Sequence, residues 1–146
     1  MMDRSRSKPD IFRHITRDLT DVRSGLIALQ NRDQSINWIA ATLLNSWVNF
    51  STGSDGNHLA AYSRDSNGIV RLRGVIKTGA IGTVALTLPQ GFRPGTSAVN
   101  QGIMRIPVVS AGSFGYVTIE YDGDVIIAAG SNTWVDLAGV QFRAEL

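Results

Sequence analysis

The side chains able to do chemistry are few in this chain of 146 residues, and they do not gather into a familiar pattern. There are two histidines. His14 falls on the wet side of a predicted helix and reads as solvated. His58 follows a polar loop where it could meet a ligand, but a lone loop histidine is most simply an exposed one. Asp122 and Asp124 flank Gly123 and offer paired carboxylates or a cation site, yet Asp-Gly turn chemistry accounts for both. Asp55, Gly56 and Asn57 could give oxygen ligands to Ca²⁺, but the remaining ligands of a known loop pattern are missing. Gly79–Gly82 is not a phosphate loop, because no Gly-Lys-Ser/Thr follows and no helix begins there. No Ser, His and Asp arrangement points to nucleophilic catalysis. A glycosidase needs two carboxylates across a cleft. Glu120 and Asp136 are the spare acids on predicted strands. The residues therefore predict a protein without catalytic groups, cofactor or metal.

Binding chemistry is better represented. Trp38, Trp47, Trp134, Tyr62, Tyr116, Tyr121 and Phe142 carry rings that can stack on sugars. On alternating strands, packing in a core or subunit interface is the default for such rings. Trp134 is the best exception, because the polar stretch Gly130–Thr133 precedes it. The candidate ligand loops are Asp55–His58 and Ser131–Trp134, with Asp55, Asn57, His58, Asn132 and Trp134 as contact residues. Arg71 and Arg73 share a strand face, where they either pair with acids across a subunit interface or are solvated.

These loops need a scaffold, and most of the chain predicts a β one. From Gly68 to Pro94 the sequence reads as two alternating strands around a Thr78–Gly79 turn. Val70, Leu72, Gly74 and Ile76 alternate with Arg71, Arg73, Val75 and Lys77, period two with one wet face. Val84, Leu86 and Leu88 repeat the signal, and Pro89 and Pro94 end it. Leu43–Phe50, Leu59–Arg64, Ile103–Val109, Gly115–Tyr121, Asp124–Ala129, Trp134–Val140 and Gln141–Ala144 are further predicted strands. Pro107 predicts an edge position or a bulge. Asp65–Gly68 and Asp122–Gly123 are predicted tight turns. Short strands with turn signals at such spacing predict an antiparallel β-sandwich or barrel.

The start of the chain is different. Pro9–Arg32 reads as a helix, with Pro9 and Asp10 suited to its first turn. Phe12, Ile15, Leu19, Val22, Leu26 and Leu29 recur at heptad a/d spacing, while Arg13, Arg17, Asp18, Asp21 and Arg23 keep the other faces wet. A lone helix of this length is marginal in water, and Gly25 costs it about 1 kcal/mol relative to Ala. Something must cover the seam. It packs on the chain's own β domain or associates with other copies, and three copies are the preferred reading. Ile15 and Val22 at d with leucines at a disfavour a two-stranded zipper. Asn31–Ser35 is a polar hinge, so residues 1–33 form a basic tail and neck and residues 34–146 a β head.

Bulk properties agree with one such unit. Apolar residues make up 43%, enough for a core. Charged residues are 18%, below the usual share of about 25%. A net charge of +2 leaves no nucleic-acid footprint, although Arg4, Arg6 and Lys8 give a basic start suited to an acidic partner. The absence of cysteine excludes disulfides and thiolate metal sites. No apolar run approaches the ~18 residues of a membrane span. The start lacks a signal-peptide h-region, which predicts synthesis in a cytoplasm without secretion.

Taken in order, LLNSWVNF (Leu43–Phe50), AAYSRDSNGIVRLRGVIK (Ala60–Lys77), GTVALTLPQGFRP (Gly82–Pro94), IPVVSAGSFGYVTIEYDGDV (Ile106–Val125) and SNTWVDLAGVQFRAE (Ser131–Glu145) resemble the C-terminal head domain of phage tail-fibre and minor tail proteins. The resemblance implies a virion protein, typically a homotrimer with a helical or fibrous neck below a β head. It implies a head that contacts the host surface, often its carbohydrate, or a neighbouring virion protein. Because the neck begins almost at Met1, a short spike or capsid decoration protein docked through residues 1–10 fits as well. A stand-alone lectin-like carbohydrate-binding module and a small hydrolase on a β scaffold are the other readings. Neither nucleic acid nor membrane insertion is expected.

Overall fold

The computed structural model describes residues 18–27, 36–95 and 102–144. The chain divides into two compact units, Met1–Ser35 and Ile36–Leu146. In the first, residues 18–27 form helix α1. Its seam residues Leu19, Val22 and Leu26 are 65%, 61% and 56% exposed in the single chain. The other predicted seam residues, Phe12, Ile15 and Leu29, lie outside the described residues, as does the basic start.

The second unit is antiparallel β throughout its described strands. These are β1 (Ile39–Ala40), β2 (Val48–Asn49), β3 (Ala61–Arg64), β4 (Ile69–Arg73), β5 (Val75–Lys77), β6 (Val84–Thr87), β7 (Met104–Ser110), β8 (Ser113–Ile119), β9 (Asp124–Ala129), β10 (Val135–Asp136) and β11 (Gln141–Arg143). One sheet has the order β1-β3-β4-β11, and the other β2-β5-β10-β7-β8-β9-β6. The chain is thus mainly β, as the sequence predicts.

The two sheets are joined by a strand that runs through both. β4 and β5 are separated by Gly74 alone, and buried and half-exposed residues alternate without a break from Val70 to Lys77. The inward series Val70, Leu72, Gly74 and Ile76 therefore lines one continuous core. Gly74 has φ +109°, which L side chains rarely adopt. A Cβ on it would stand 2.5 Å from Ala60 Cα. The partner segment crosses at the same place. Leu137 N–H donates to Gly74 O at 2.9 Å and Leu72 N–H to Val140 O at 3.0 Å, so β10 and β11 pair with β5 and β4 across the bend. Residues of both sheets then share one core, with Leu72, Ile76, Leu86, Val117, Ile127 and Val135 at its centre. Each such side chain contributes on the order of 2 kcal/mol when buried.

The seven-stranded sheet curls into a half-barrel. Leu44, just before β2, donates its N–H to Ala85 O in β6 at 2.8 Å, and the Asn45 amide donates to Val84 O at 2.8 Å. These bonds bring together the two ends of the strand order. Trp47 seals the seam from inside, 2% exposed, with Nε1 donating to Thr83 Oγ1 at 3.0 Å.

Several predicted elements are corrected. The two strands of Gly68–Pro94 do not form a hairpin, because β5 lies between β2 and β10 while β6 pairs with β9. Thr78 is tied elsewhere, its N–H donating to Asn132 O and its hydroxyl to Ser46 O, both at 2.9 Å. Gly79 lies against the Trp47 indole, where any Cβ would overlap the ring. Leu43–Phe50 is not one strand, since Asn45 and Ser46 turn at φ 54° and 66°. Trp134–Val140 is a strand only at Val135–Asp136, because the turn at Leu137–Val140 carries the chain to the other sheet. Pro107 sits in an interior strand, not at an edge. It is tolerated because β10 pairs only with Val109 and Ser110, leaving β7 unpaired on that side at Pro107. The turns at Asp65–Gly68 and Asp122–Gly123 form as predicted, closed by Gly68 N–H to Asp65 O at 3.1 Å and Gly123 N–H to Glu120 O at 2.9 Å.

The substitution Gly74→Ala combines left-handed strain with a backbone clash at the sheet junction. We expect it to cost about 3 kcal/mol or more in urea denaturation. Gly139→Ala, at a position with nothing within 4 Å, is expected to stay within about 0.5 kcal/mol of the parent.

Candidate functional site

The first predicted ligand loop, Asp55–His58, follows β2. Asp55 Oδ1 accepts from Asn57 N–H at 3.1 Å. The Ser51 hydroxyl, and after it the Asn57 N–H, hold the exposed Asp55 carboxyl below its usual range. His58 is exposed, and its carbonyl accepts from Val75 N–H at 3.2 Å. This loop therefore leaves the sheet at the Val75 end of β5. The second loop, Ser131–Trp134, is at the opposite end, where Asn132 O accepts from Thr78 N–H. The two loops are thus anchored three residues apart, at the two ends of β5.

The second loop is the better braced. Ser110 Oγ, fully buried, donates to Ser131 O at 2.9 Å and accepts from Ser131 N–H at 2.6 Å. Trp134 O accepts from Ala111 N–H at 3.1 Å in the β7–β8 turn, which bends through Ala111 and Gly112 at φ 45° and 76°. The loop is thereby fixed against the end of the β7–β8 hairpin.

Beside it lies a groove on the outer face of the curled sheet. It has a volume of about 460 Å³ and is lined by Pro107, Val109, Gly112, Phe114, Asp136 and Gly139 among others. Val109 and Phe114 are cross-strand partners, and Asp136 pairs with Val109 from the other side. Phe114 is 73% exposed and Val109 57%. Asp136 Oδ1 accepts from Ala138 N–H at 2.9 Å, leaving Oδ2 without a partner among the described residues. Sequence reasoning weighed Asp136 as a spare acid but passed over Phe114. The signal was present: Gly115, Val117 and Ile119 form the inward series of β8, which sends Phe114 outward.

The other candidates are placed as follows. Glu120 follows β8 at the end remote from Phe114, six residues along the strand. At ~3.3 Å per residue this puts Glu120 and Asp136 roughly 20 Å apart. Glycoside hydrolysis needs its carboxyl groups within about 10 Å, so this pair cannot flank one bond. The carboxylates of Glu120, Asp122 and Asp124 do approach within 4.8 Å of one another. Asp122 Oδ1 accepts from Asp124 N–H at 3.2 Å and Asp124 Oδ1 from the Thr87 hydroxyl at 2.7 Å, so turn and strand contacts orient both acids.

Arg71 pairs with Asp65 of its own chain at 2.8 Å, and the Arg73 guanidinium stacks over Trp38 at 4.3 Å. Trp47 and Phe142 are core residues, whereas Tyr62 makes an edge contact with Phe92 at 5.1 Å.

No protein-family model matches the sequence, and no curated protein matches it. Among solved structures, the fold is similar to the crystal structure of the receptor binding protein (gp15) of Listeria phage PSA. The TM-score is 0.68 at 15% identity, over 90% of this chain and 79% of that one.

Asp65 gives a pH prediction. The Arg71 hydrogen bond, and then the Ile69 N–H, hold its carboxyl below the usual value. A lowered folded value means the contribution is present above the unfolded pKa near ~3.9 and is lost as pH falls through the folded one. Asp65→Asn is expected to cost under about 1 kcal/mol at pH 7. Urea midpoints of the two proteins are expected to converge as pH drops from about 5 to about 2.

Proposed function

We propose that this chain is the neck and head of a phage virion protein of tail-fibre or spike type, acting by binding the host surface and not by catalysis. The observation that carries the reading is the shared fold with a phage receptor binding protein at TM-score 0.68 over 90% of the chain. The separation of Glu120 from Asp136 supports a binding role, since it removes the one carboxylate pair that sequence offered for hydrolysis. Pre-incubating host cells with the purified chain should reduce adsorption of the phage that encodes it. Unchanged adsorption at saturating micromolar protein would overturn the reading.

The working unit is a homotrimer. Leu19, Val22 and Leu26 are more than half exposed in the single chain, and a short helix with an uncovered apolar seam is marginal in water. Three copies cover such seams mutually. Residues 1–10, with Arg4, Arg6 and Lys8, dock on an acidic neighbour in the virion. The protein is made in the host cytoplasm and works in the particle.

Sedimentation should give three times the chain mass of 15.8 kDa. Leu19→Asp with Leu26→Asp should shift the mass to monomer while the β signature in circular dichroism persists. A stable wild-type monomer at micromolar concentration would remove the trimer.

A further inference from the structure

The geometry points to the Phe114 groove as a saccharide-binding site that takes neutral sugar rings. The inference rests on the receptor-binding reading and adds a place and a ligand class to it. Three observations meet in the groove. The first is Phe114. Leaving a ring 73% exposed at the start of a well-paired strand forgoes its burial energy, although the inward face of β8 is otherwise filled by Val117 and Ile119. An exposed ring offers a negative π face, which attracts the polarised C–H groups of one face of a pyranose.

The second observation is Asp136. Its Oδ1 is oriented by Ala138 N–H, and its Oδ2 has no partner among the described residues. A carboxylate accepts hydrogen bonds only, so the groove suits ligands rich in hydroxyl or amide donors. It disfavours phosphate and uronate groups, which would be placed beside a like charge.

The third is Gly139. Its φ lies outside the left-handed region, and a Cβ on it would meet nothing within 4 Å. Neither backbone conformation nor packing within the chain requires glycine there. It lines the groove and adds no side chain to it. The volume of about 460 Å³ falls in the range of roughly 300–1,000 Å³ typical of small-molecule sites.

The braced Ser131–Trp134 loop adjoins the same hairpin end through the Ala111–Trp134 hydrogen bond. It can extend the contact to a second ring. The Asp55–His58 loop, at the other end of β5, takes no part.

The test is binding of the full-length protein to an array of neutral mono- to tetrasaccharides, with sialylated and phosphorylated glycans as the anionic arm. Neutral glycans should bind and anionic ones should not. Phe114→Ala should weaken binding at least tenfold and Asp136→Asn several-fold. Gly139→Val, which adds a branched side chain to the groove lining at a position free of contacts, should weaken binding at least tenfold with native mass and melting temperature unchanged. Asp55→Ala should bind as wild type.

The proposal is overturned if no neutral glycan binds, if anionic glycans bind better, or if Phe114→Ala and Gly139→Val leave binding intact. It is also overturned if Phe114→Ala changes the native mass, which would make this face a contact between copies. If the wild-type chain still competes for phage adsorption after any of these results, receptor binding stands and only the groove assignment fails.

Discussion

Everything in the β unit depends on the close approach of Gly74 to the backbone of Ala60. At that point one strand stops pairing in the four-stranded sheet and starts pairing in the seven-stranded one. A side chain there would separate the strands, and no residue but glycine takes φ +109° without strain. Leu137 and Val140 cross beside it through their hydrogen bonds to Gly74 and Leu72, so two adjacent segments make the passage together. The sheets are therefore coupled by continuous backbone as well as by side-chain packing. Their shared core follows from that coupling.

The second device is the curl closed by Trp47. Its indole fills the space over Gly79 and donates to Thr83, while Leu44 and Asn45 reach across to β6. Curling leaves the sheet with a packed inner face and an outer face whose composition is free of core constraints. The β7–β8 hairpin uses that freedom to expose Phe114 and Val109. Among the described residues that outer face carries an apolar groove.

The periodic features were legible in the sequence. Alternation from Val70 to Lys77 and the turns at Asp65 and Asp122 appear where their residue types place them. What failed was pairing. A Thr-Gly step between two alternating strands reads as a hairpin, but Thr78 bonds to Asn132 and Ser46, partners distant in sequence. Local chemistry cannot reveal such bonds. Pro107 misled for a related reason, because whether a central strand has a neighbour at one residue depends on the length of β10. Phe114 was readable from the inward series Gly115, Val117 and Ile119, but its exposure gains meaning only beside Asp136 and Gly139. Those residues lie on a strand and a turn that sequence order does not place next to it. The loops Asp55–His58 and Ser131–Trp134 were found as polar loops, and their separation along β5 is a fact of register.

Electron cryomicroscopy of the intact phage particle tests the central claim most directly. The account predicts three copies of the chain in a tail appendage, with the Phe114 hairpins open to solvent. A single copy, a position on the capsid shell, or particles that lack the chain would contradict it.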